Sequence, residues 1–309
     1  MSQKPKQSLE ELLAAADTVL FVGAGATDVV NGVPLANHAE RIGVAHDDIC
    51  FGALACQWWA STADAPDFYP VDELDGSEAL TPLAALVGPE TTITRDGTEH
   101  VPPEVVLGTE FDYPAGVFDG RDGEVGLRSA LEAYVSEFDV DFVVNVDCGS
   151  DSLFDGVNGA VETPLHDFLT MAAIDSLDVP AVHTLTGYGL DGEMPMDALD
   201  ETVADLMAAG AYLGAHGVTQ SDVGDLRAAY ETVDDPINSL VVPAATGDHA
   251  PRDVFGRTIV PEPLSASILV FDLATVVANG PASTLVGTES LAEAETALLE
   301  AGIEPETRV

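Results

Sequence analysis

Short apolar runs alternate with amphipathic segments along most of this chain, and the alternation predicts buried strands followed by helices. The apolar runs are rich in valine, leucine and phenylalanine, as expected for strands that are covered on both faces of a sheet. The predicted strands are 18–22, 141–147, 181–186 and 265–273. The predicted helices are 9–16, 31–42, 127–138, 164–177, 194–209, 220–232 and 291–301.

The first of these units indicates the fold class. Glycines follow the run at 18–22, and a helical segment then carries Pro34 in its first turn, where proline costs no hydrogen bond. Strand, glycine turn and helix open an α/β unit, so we predict a Rossmann-like doubly wound, mostly parallel sheet with helices on both faces. The alternation of apolar runs and amphipathic segments is lost between about residues 50 and 126, which predicts an irregular insertion or cap. We expect one α/β domain over residues 1–309.

The charge composition changes the expected environment of the protein. Ten basic residues stand against 54 acidic ones, giving a formal net charge of −44, and the acids are spread along the whole chain. Hydrophobic residues still make up 46% of the sequence, enough for a substantial core. An acidic, lysine-poor surface is typical of proteins that work in a cytoplasm of multimolar salt, as in halophilic archaea. Such salt shortens the Debye length to ~3 Å and so screens the repulsion between the acidic side chains.

The same composition disfavours several classes of partner. The sequence has no basic patch to neutralise phosphates, so we expect no nucleic acid. The N-terminus has no apolar leader and no apolar run reaches the roughly 18 residues that span a bilayer, so we expect a soluble, cytoplasmic protein without a membrane partner. Three cysteines without a CxxC pair predict neither a disulfide framework nor a structural zinc site. A homo-oligomer is left open.

Three loops share one design, in which glycines and acids directly follow a predicted strand. They read GAGATD after 18–22, CGSDSLFDG after 141–147 and GYGLDGE after 181–186. Loops that follow parallel strands leave the same edge of the sheet, where ligands of open α/β sheets bind. The candidate ligand-binding residues are Gly23, Gly25, Asp28, Gly149, Ser150, Gly187, Gly189, Gly192 and Glu193.

The acids of these loops suggest a divalent cation. Asp147, Asp151 and Asp191 are the candidate metal ligands and catalytic residues, because hard cations such as Mg²⁺ or Mn²⁺ prefer oxygen ligands. Glycines allow backbone N–H groups to approach an anion closely. In so acidic a chain, the same residues are also ordinary turn and cap residues, and this simpler interpretation stays open.

Other chemistries have less support in the sequence. His166 and His183 are isolated, and His183 lies in a predicted strand, which favours core packing. Cys148 has no histidine fixed beside it, so a nucleophilic role is disfavoured. The segments around His216 and His249 are predicted polar loops. A metal role is left open for the group of Asp248, His249 and Asp253.

The ordered set GAGATDVVNGVPLA, VDCGSDSLFDG, ETPLHDF and GYGLDGEM resembles the DUF1152 family of uncharacterised archaeal and bacterial proteins. The resemblance implies equivalent roles for Gly23, Gly25, Asp28, Gly32, Pro34, Asp147, Gly149, Asp151, Glu162, Pro164, Leu165, Asp167, Gly187, Gly189, Asp191, Gly192 and Glu193. Ala24, Ala26, Thr27 and Ser150 depart from the more glycine-rich pattern. The family implies a site and no particular reaction.

We therefore expect a protein that binds a nucleotide or phosphorylated small metabolite, acting as a divalent-metal-dependent transferase or hydrolase. One alternative is a non-catalytic binding or regulatory module that recognises its ligand through carboxylates alone. A less favoured alternative is an NAD(P)-dependent oxidoreductase, because Asp28 replaces the last glycine of GxGxxG and the ribose-binding candidates Glu40 and Asp47 are loosely placed.

Overall fold

The computed structural model describes residues 6–59, 66–156 and 161–306. The strands in these ranges are β1 Val19–Gly23, β2 Ile49–Leu54, β3 Cys56–Gln57, β4 Asp67–Phe68, β5 Leu74–Asp75, β6 Glu78–Thr81, β7 Ala84–Val87, β8 Thr92–Arg95, β9 Thr98–His100, β10 Ala115–Phe118, β11 Phe142–Cys148, β12 Ala181–Thr186, β13 Tyr212–Gly217, β14 Arg252–Val254, β15 Arg257–Ile259 and β16 Ser267–Asp272. The α-helices are α1 Leu9–Leu13, α2 Val33–Ile42, α3 Val105–Phe111, α4 Gly123–Glu137, α5 Pro164–Asp175, α6 Met196–Ala208, α7 Gln220–Thr232, α8 Val241–Thr246, α9 Leu273–Asn279 and α10 Leu291–Glu300.

The strongly periodic segments fold as their sequence predicts. Strand β12 and helix α7 have the predicted bounds, and β1, β11 and β16 lie within two residues of theirs. The segment before α2 differs, because a 3-10 turn at Asp28–Gly32 takes up the residues that directly follow the glycine loop. The predicted polar loop around His216 is wrong: this histidine lies in β13, an edge strand paired with β16.

Nine strands form the central sheet, in the order β13-β16-β12-β11-β1-β2-β10-β7-β6. The five neighbours β12, β11, β1, β2 and β10 are parallel. Strands β16 and β7 run antiparallel to the outer members of this group. The protein is therefore a mixed α/β structure with a large, mostly parallel central sheet.

The predicted irregular insertion at residues 50–126 needs a correction, because two central strands lie in this range. Strand β2 pairs with β1 and β10, in the middle of the sheet. Strands β2 and β10 are hard to recognise in the sequence because they contain glycine and alanine. Close packing nevertheless requires small residues at these positions. A Cβ on Gly52 would come within 2.5 Å of the Phe118 ring. Between β2 and β10, strands β6 and β7 also join the central sheet at its edge, whereas β3, β4, β5, β8, β9 and helix α3 lie outside it.

Two hydrophobic clusters cover the two faces of the central sheet. In β1, Leu20 and Val22 join a cluster with α4, α5, α6, α9 and α10. Val19 and Phe21 point the other way and join a cluster with α1, α2, α3 and α7. This alternation explains why the central strands read as continuous apolar runs. Among the described residues, no helix has the length and apolar character needed to cross a bilayer.

Candidate functional site

The loops that follow β1, β11 and β12 lie side by side, because these three strands are parallel neighbours in the sheet. They carry the four predicted aspartates Asp28, Asp147, Asp151 and Asp191, and all four are buried. The structure therefore brings the acids of three distant segments to one edge of the sheet, as their positions after parallel strands predicted.

The acids form three adjoining ligand sets, in each of which one donor atom per residue lies within 4.8 Å of the others. The sets are Asp147, Asp151 and Asp167; Asp151, Asp191 and Glu193; and Asp28, His166 and Asp167. Asp151 belongs to two sets and Asp167 to two. The predicted trio of Asp147, Asp151 and Asp191 is thus not one set, since Asp151 links two neighbouring ones.

Asp167 lies where two of the ligand sets meet, and no N–H or O–H group of the described residues donates to either of its carboxylate oxygens. Its side chain is 1% exposed. The other aspartates accept hydrogen bonds from neutral side chains: Asp28 from Asn238, Asp147 from Ser152, Asp151 from Thr163 and Asp191 from Ser150. An unbonded buried carboxylate is costly, so Asp167 requires a cation or a shared proton.

Burial is the main cause that raises the pKa of these acids. It holds the pKa of Asp28, Asp147 and Asp167 well above the ordinary range, and the negative charges of neighbouring aspartates raise it further. The same two causes raise the pKa of Asp191 to about 7 and that of Glu193 to about 9. Carboxylates that repel one another in this way form a site that a bound cation would stabilise.

A histidine completes one ligand set and is held in place from the C-terminal segment. His166, in the first turn of α5, lies with Nδ1 3.0 Å from Oε1 of Glu306 and Nε2 3.8 Å from Asp167. Glu306 also accepts hydrogen bonds from the backbone N–H groups of Leu165 and His166, and so caps α5. A carboxylate that accepts from Nδ1 leaves Nε2 free to bind a metal.

The positive charge of Arg257 borders the site. Its guanidinium donates to the backbone oxygen of Asp191 at 2.6 Å and lies 3.6 Å from a carboxylate oxygen of Glu193. It also pairs with Glu162 at 2.5 Å. Its charge lowers the pKa of Asp191 and of Glu193, but burial and the neighbouring acids outweigh this effect.

A chain of neutral groups reaches Asp147 from inside the sheet. Nδ2 of Asn145 donates to Nδ1 of His183, at 2.8 Å, which leaves the proton of the neutral ring on Nε2. That nitrogen lies 3.1 Å from the Ser152 hydroxyl, and Ser152 donates to Asp147. Burial lowers the pKa of His183 to about 3, so the ring is uncharged. The strand histidine is buried as predicted, and it also orients a hydroxyl at the site.

The glycines of the loops serve close packing. A Cβ on Gly149 would lie 2.7 Å from the carboxylate of Asp191, and φ of Gly149 is +131°. The amides of Gly149, Gly189 and Gly192 donate to carbonyl groups of the same loops and strands. These three amides therefore hold the loops in shape, and the binding of an anion by glycine amides, for which Gly23 and Gly25 are the candidates, stays a prediction.

One open groove lies away from the acidic edge. A groove of about 540 Å³ lies at the opposite edge of the sheet, lined by the first residues of β11 and β12 and by Lys6 and Asp272. The acidic residues are buried at 6% exposure or less, apart from partly buried Glu193. A buried group of carboxylate oxygens has the chemistry to bind a hard cation.

Comparison with family models decides the classification. The model described as protein of unknown function, DUF1152, matches residues 19–309. The chain belongs to the DUF1152 family. The search of curated proteins and the search of solved structures each find no match.

In this member of the DUF1152 family, residues outside the three loops also contribute to the candidate site. Asp167 and Glu162 lie in ETPLHDF, one of the segments that resemble the family. Because this segment does not directly follow a predicted strand, the pattern of glycines and acids after strands does not point to them. His166, Glu306 and Arg257 come from a helix, the C-terminal segment and a hairpin. Of these three residues, only His166 has a signal in the sequence: it directly precedes Asp167 in ETPLHDF, and the family resemblance implies a site role for Asp167.

Proposed function

We propose that the protein holds divalent cations at the acidic edge of the sheet and uses them to bind and transform a nucleotide or phosphorylated small metabolite. The observation that carries the proposal is the linkage of three ligand sets through Asp151 and Asp167, where neither oxygen of Asp167 receives a donor from the described residues. Mg²⁺ and Mn²⁺ fit the carboxylate sets because they prefer oxygen ligands. A carboxylate shared between sets is able to bridge two cations.

The electrostatics explain why cations and a phosphorylated ligand belong together here. The side chains of the sets are acidic except for His166, and the nearby Arg257 is already paired. A phosphate group on its own would be repelled from this edge. With cations bound, the same edge becomes an attractive site for phosphate oxygens.

The proposed reaction is transfer or hydrolysis at a phosphorylated centre. The cations supply Lewis acidity that stabilises the negative charge developing on phosphate oxygens. The protein fixes the positions of the carboxylates. The hydrogen bonds that run from Asn145 through His183 to Ser152 orient the Ser152 hydroxyl, which donates to the carboxylate of Asp147. The burial of the aspartates limits the access of bulk water to the cations.

The topology supports a Rossmann-like origin for this edge. In chain order the five parallel strands run β1, β2, β10 to one side and then β11, β12 to the other, so the direction of winding reverses between β1 and β11. In open α/β sheets ligands bind outside the carboxyl ends of the strands at such a reversal. Asp28 and Asp147 follow or end these two strands.

The direct test is binding by protein kept in multimolar KCl. Calorimetry should show that wild type binds Mn²⁺, and that it binds ATP with Mn²⁺ present but not in EDTA. Asp167→Asn should weaken both, because it removes the carboxylate on which two sets depend, whereas the exposed Asp205→Asn should bind like wild type. Wild type that binds neither Mn²⁺ nor a phosphorylated compound would refute the proposal. Release of phosphate, followed by a colorimetric assay, then separates hydrolysis from binding.

A non-catalytic binding or regulatory module is the second candidate, favoured by the deep burial of the aspartates. Such a module would recognise an amino-containing ligand through carboxylates alone. It predicts ligand binding that EDTA does not change, and no turnover of any candidate substrate. The oxidoreductase alternative is weaker, because Glu40 is engaged by His46 and by the Tyr113 hydroxyl.

We also propose a cytoplasm of multimolar salt, as in halophilic archaea, as the working environment. The formal charge of −44 supports this setting. Concentrated salt would screen the surface acids while leaving the buried carboxylate sets little affected.

A further inference from the structure

A second group of side chains able to ligate a metal lies outside the acidic loops, where α1, α2 and β13 meet. It consists of Glu10, His38 and His216, whose donor atoms lie within 4.8 Å of one another. The two imidazole rings face each other with centroids 4.2 Å apart and planes tilted by 41°. Oε1 of Glu10 lies 4.0 Å from Nε2 of His38.

The two facing nitrogens lack the contacts that buried polar atoms ordinarily make. Nε2 of His38 and Nε2 of His216 are both shielded from solvent, and neither takes part in a hydrogen bond with the part of the chain that the structure describes. Buried polar atoms without a partner are rare in folded proteins because they have lost their hydration and gained nothing in return. A common partner between the two nitrogens would satisfy both.

The charge state of the rings suits a metal ion as this partner. Burial lowers the pKa of His38 and of His216, and the nearby guanidinium of Arg41 lowers both further, against the opposing effect of Glu10 and Asp222. Neutral imidazole is the form that ligates metals, whereas two protonated rings at this distance would repel each other.

We propose that Glu10, His38 and His216 form a separate site for a transition-metal cation such as Zn²⁺. Imidazole nitrogens suit zinc, cobalt, nickel and copper, whereas magnesium prefers a shell of oxygen atoms. Tetrahedral zinc places its ligands roughly 3.3 Å from one another, given Zn–N bonds of about 2.0 Å. Glu10 is able to close the remaining gap, because its side chain is 53% exposed and free to turn.

The site would fasten the short N-terminal helix to the body of the protein. Helix α1 has five residues and contributes Glu10, while α2 and the edge strand β13 contribute the histidines. A metal bound to all three elements would hold α1 against an edge of the sheet, with water able to take the fourth position of a tetrahedral zinc. This role would not depend on the acidic edge.

The test measures Zn²⁺ affinity by competition with a chromophoric chelator, using the full chain in multimolar KCl. His38→Gln and His216→Gln should each weaken one zinc site by at least ~10-fold, since each removes a ligand. His46→Gln is the matched control, because this exposed histidine pairs with Glu40 outside the set, and its zinc affinity should equal that of wild type. The affinity for Mg²⁺ should be the same in all four proteins.

Two further variants keep the result decisive. Glu10→Gln alters a half-exposed side chain, so it should fold normally and still weaken zinc binding. Asp151→Asn should leave this zinc site intact, which separates it from the acidic edge. The proposal is overturned if Glu10→Gln and the histidine variants bind Zn²⁺ like wild type, or if zinc binding is lost only in Asp151→Asn.

Discussion

Asp147 and Asp272 both stand at or near the end of a buried apolar strand, yet they belong to opposite edges of the sheet. Strand β11 is parallel to its neighbours, so Asp147 reaches the carboxyl edge beside other acids. Strand β16 is antiparallel to β12, so Asp272 reaches the other edge. There it accepts from Lys6 at 2.5 Å and caps α9 through the N–H of Thr275.

The surroundings give the two carboxyl groups opposite acidities. Burial and the charge of Asp151 raise the pKa of Asp147 well above its ordinary value. Burial also raises the pKa of Asp272, but hydrogen bonds from Lys6 and Thr275 outweigh this effect and leave the pKa below its ordinary value. The comparison teaches that a strand-end acid is a ligand candidate where its neighbours leave it unpaired, and a structural cap where they pair it.

The largest effect is expected from Asp151→Asn. Asp151 belongs to two of the three ligand sets, so its loss should abolish the Mn²⁺ binding that calorimetry measures at these two sets. Even residues that only orient a ligand contribute about 10- to 100-fold to metal affinity, and a shared ligand should contribute more. Asp272→Asn is the matched control at the other edge and should bind Mn²⁺ like wild type. Equal affinity in the two variants would remove the distinction between the edges.

Glu104 is a buried acid that belongs to none of the ligand sets found among the described residues. It is 1% exposed, no described residue donates a hydrogen bond to its Oε2, and burial raises its pKa to about 8 from an ordinary 4.5. The folded state therefore holds this proton more tightly, so the stabilisation is complete below pH 4.5 and is lost as pH rises through about 8. Denaturation curves in concentrated salt should show wild type losing about 3 to 5 kcal/mol relative to Glu104→Gln between pH 4 and pH 9. Parallel pH profiles in the two proteins would contradict the assignment.

Glu306→Gln tests whether the C-terminal segment supports the acidic edge. Glutamine still offers an oxygen to the N–H groups of α5 but no longer provides the negative charge that orients His166. We expect Mn²⁺ affinity to fall by roughly 10- to 100-fold at one site. Glu304→Gln, an exposed neighbour, should leave the affinity unchanged. An unchanged affinity in Glu306→Gln would restrict Glu306 to helix capping.

The smallest effect is expected from Asp272→Ala. The variant loses the cap of α9 and should be less stable by ~1 kcal/mol in chemical denaturation, with unaltered metal binding. Asp178→Ala removes an exposed acid and should stay within about 0.5 kcal/mol of wild type. A loss of metal binding in Asp272→Ala would show that the two edges are coupled.

Sequence patterns predicted the strands and the acids that end them with good accuracy, and failed where short-range patterns are weak. Strands β2 and β10 were missed because glycine and alanine obscure their strand character, although packing against Phe118 and Tyr134 requires such small residues. Asp167 and His166 were outside the three-loop argument because they lie in the first turn of a helix. Nothing in the local sequence of Glu306 indicates that it caps that helix.

The sequence by itself determined the α/β alternation, the family and the placement of acids after β1, β11 and β12, because all of these depend on local periodicity and short motifs. Only the tertiary structure decided which acids remain unpaired, since pairing depends on strand direction and on side chains that are distant in the chain. Asp147 and Asp272 look alike in sequence, and it is the folded surroundings that make one a proposed ligand and the other a cap.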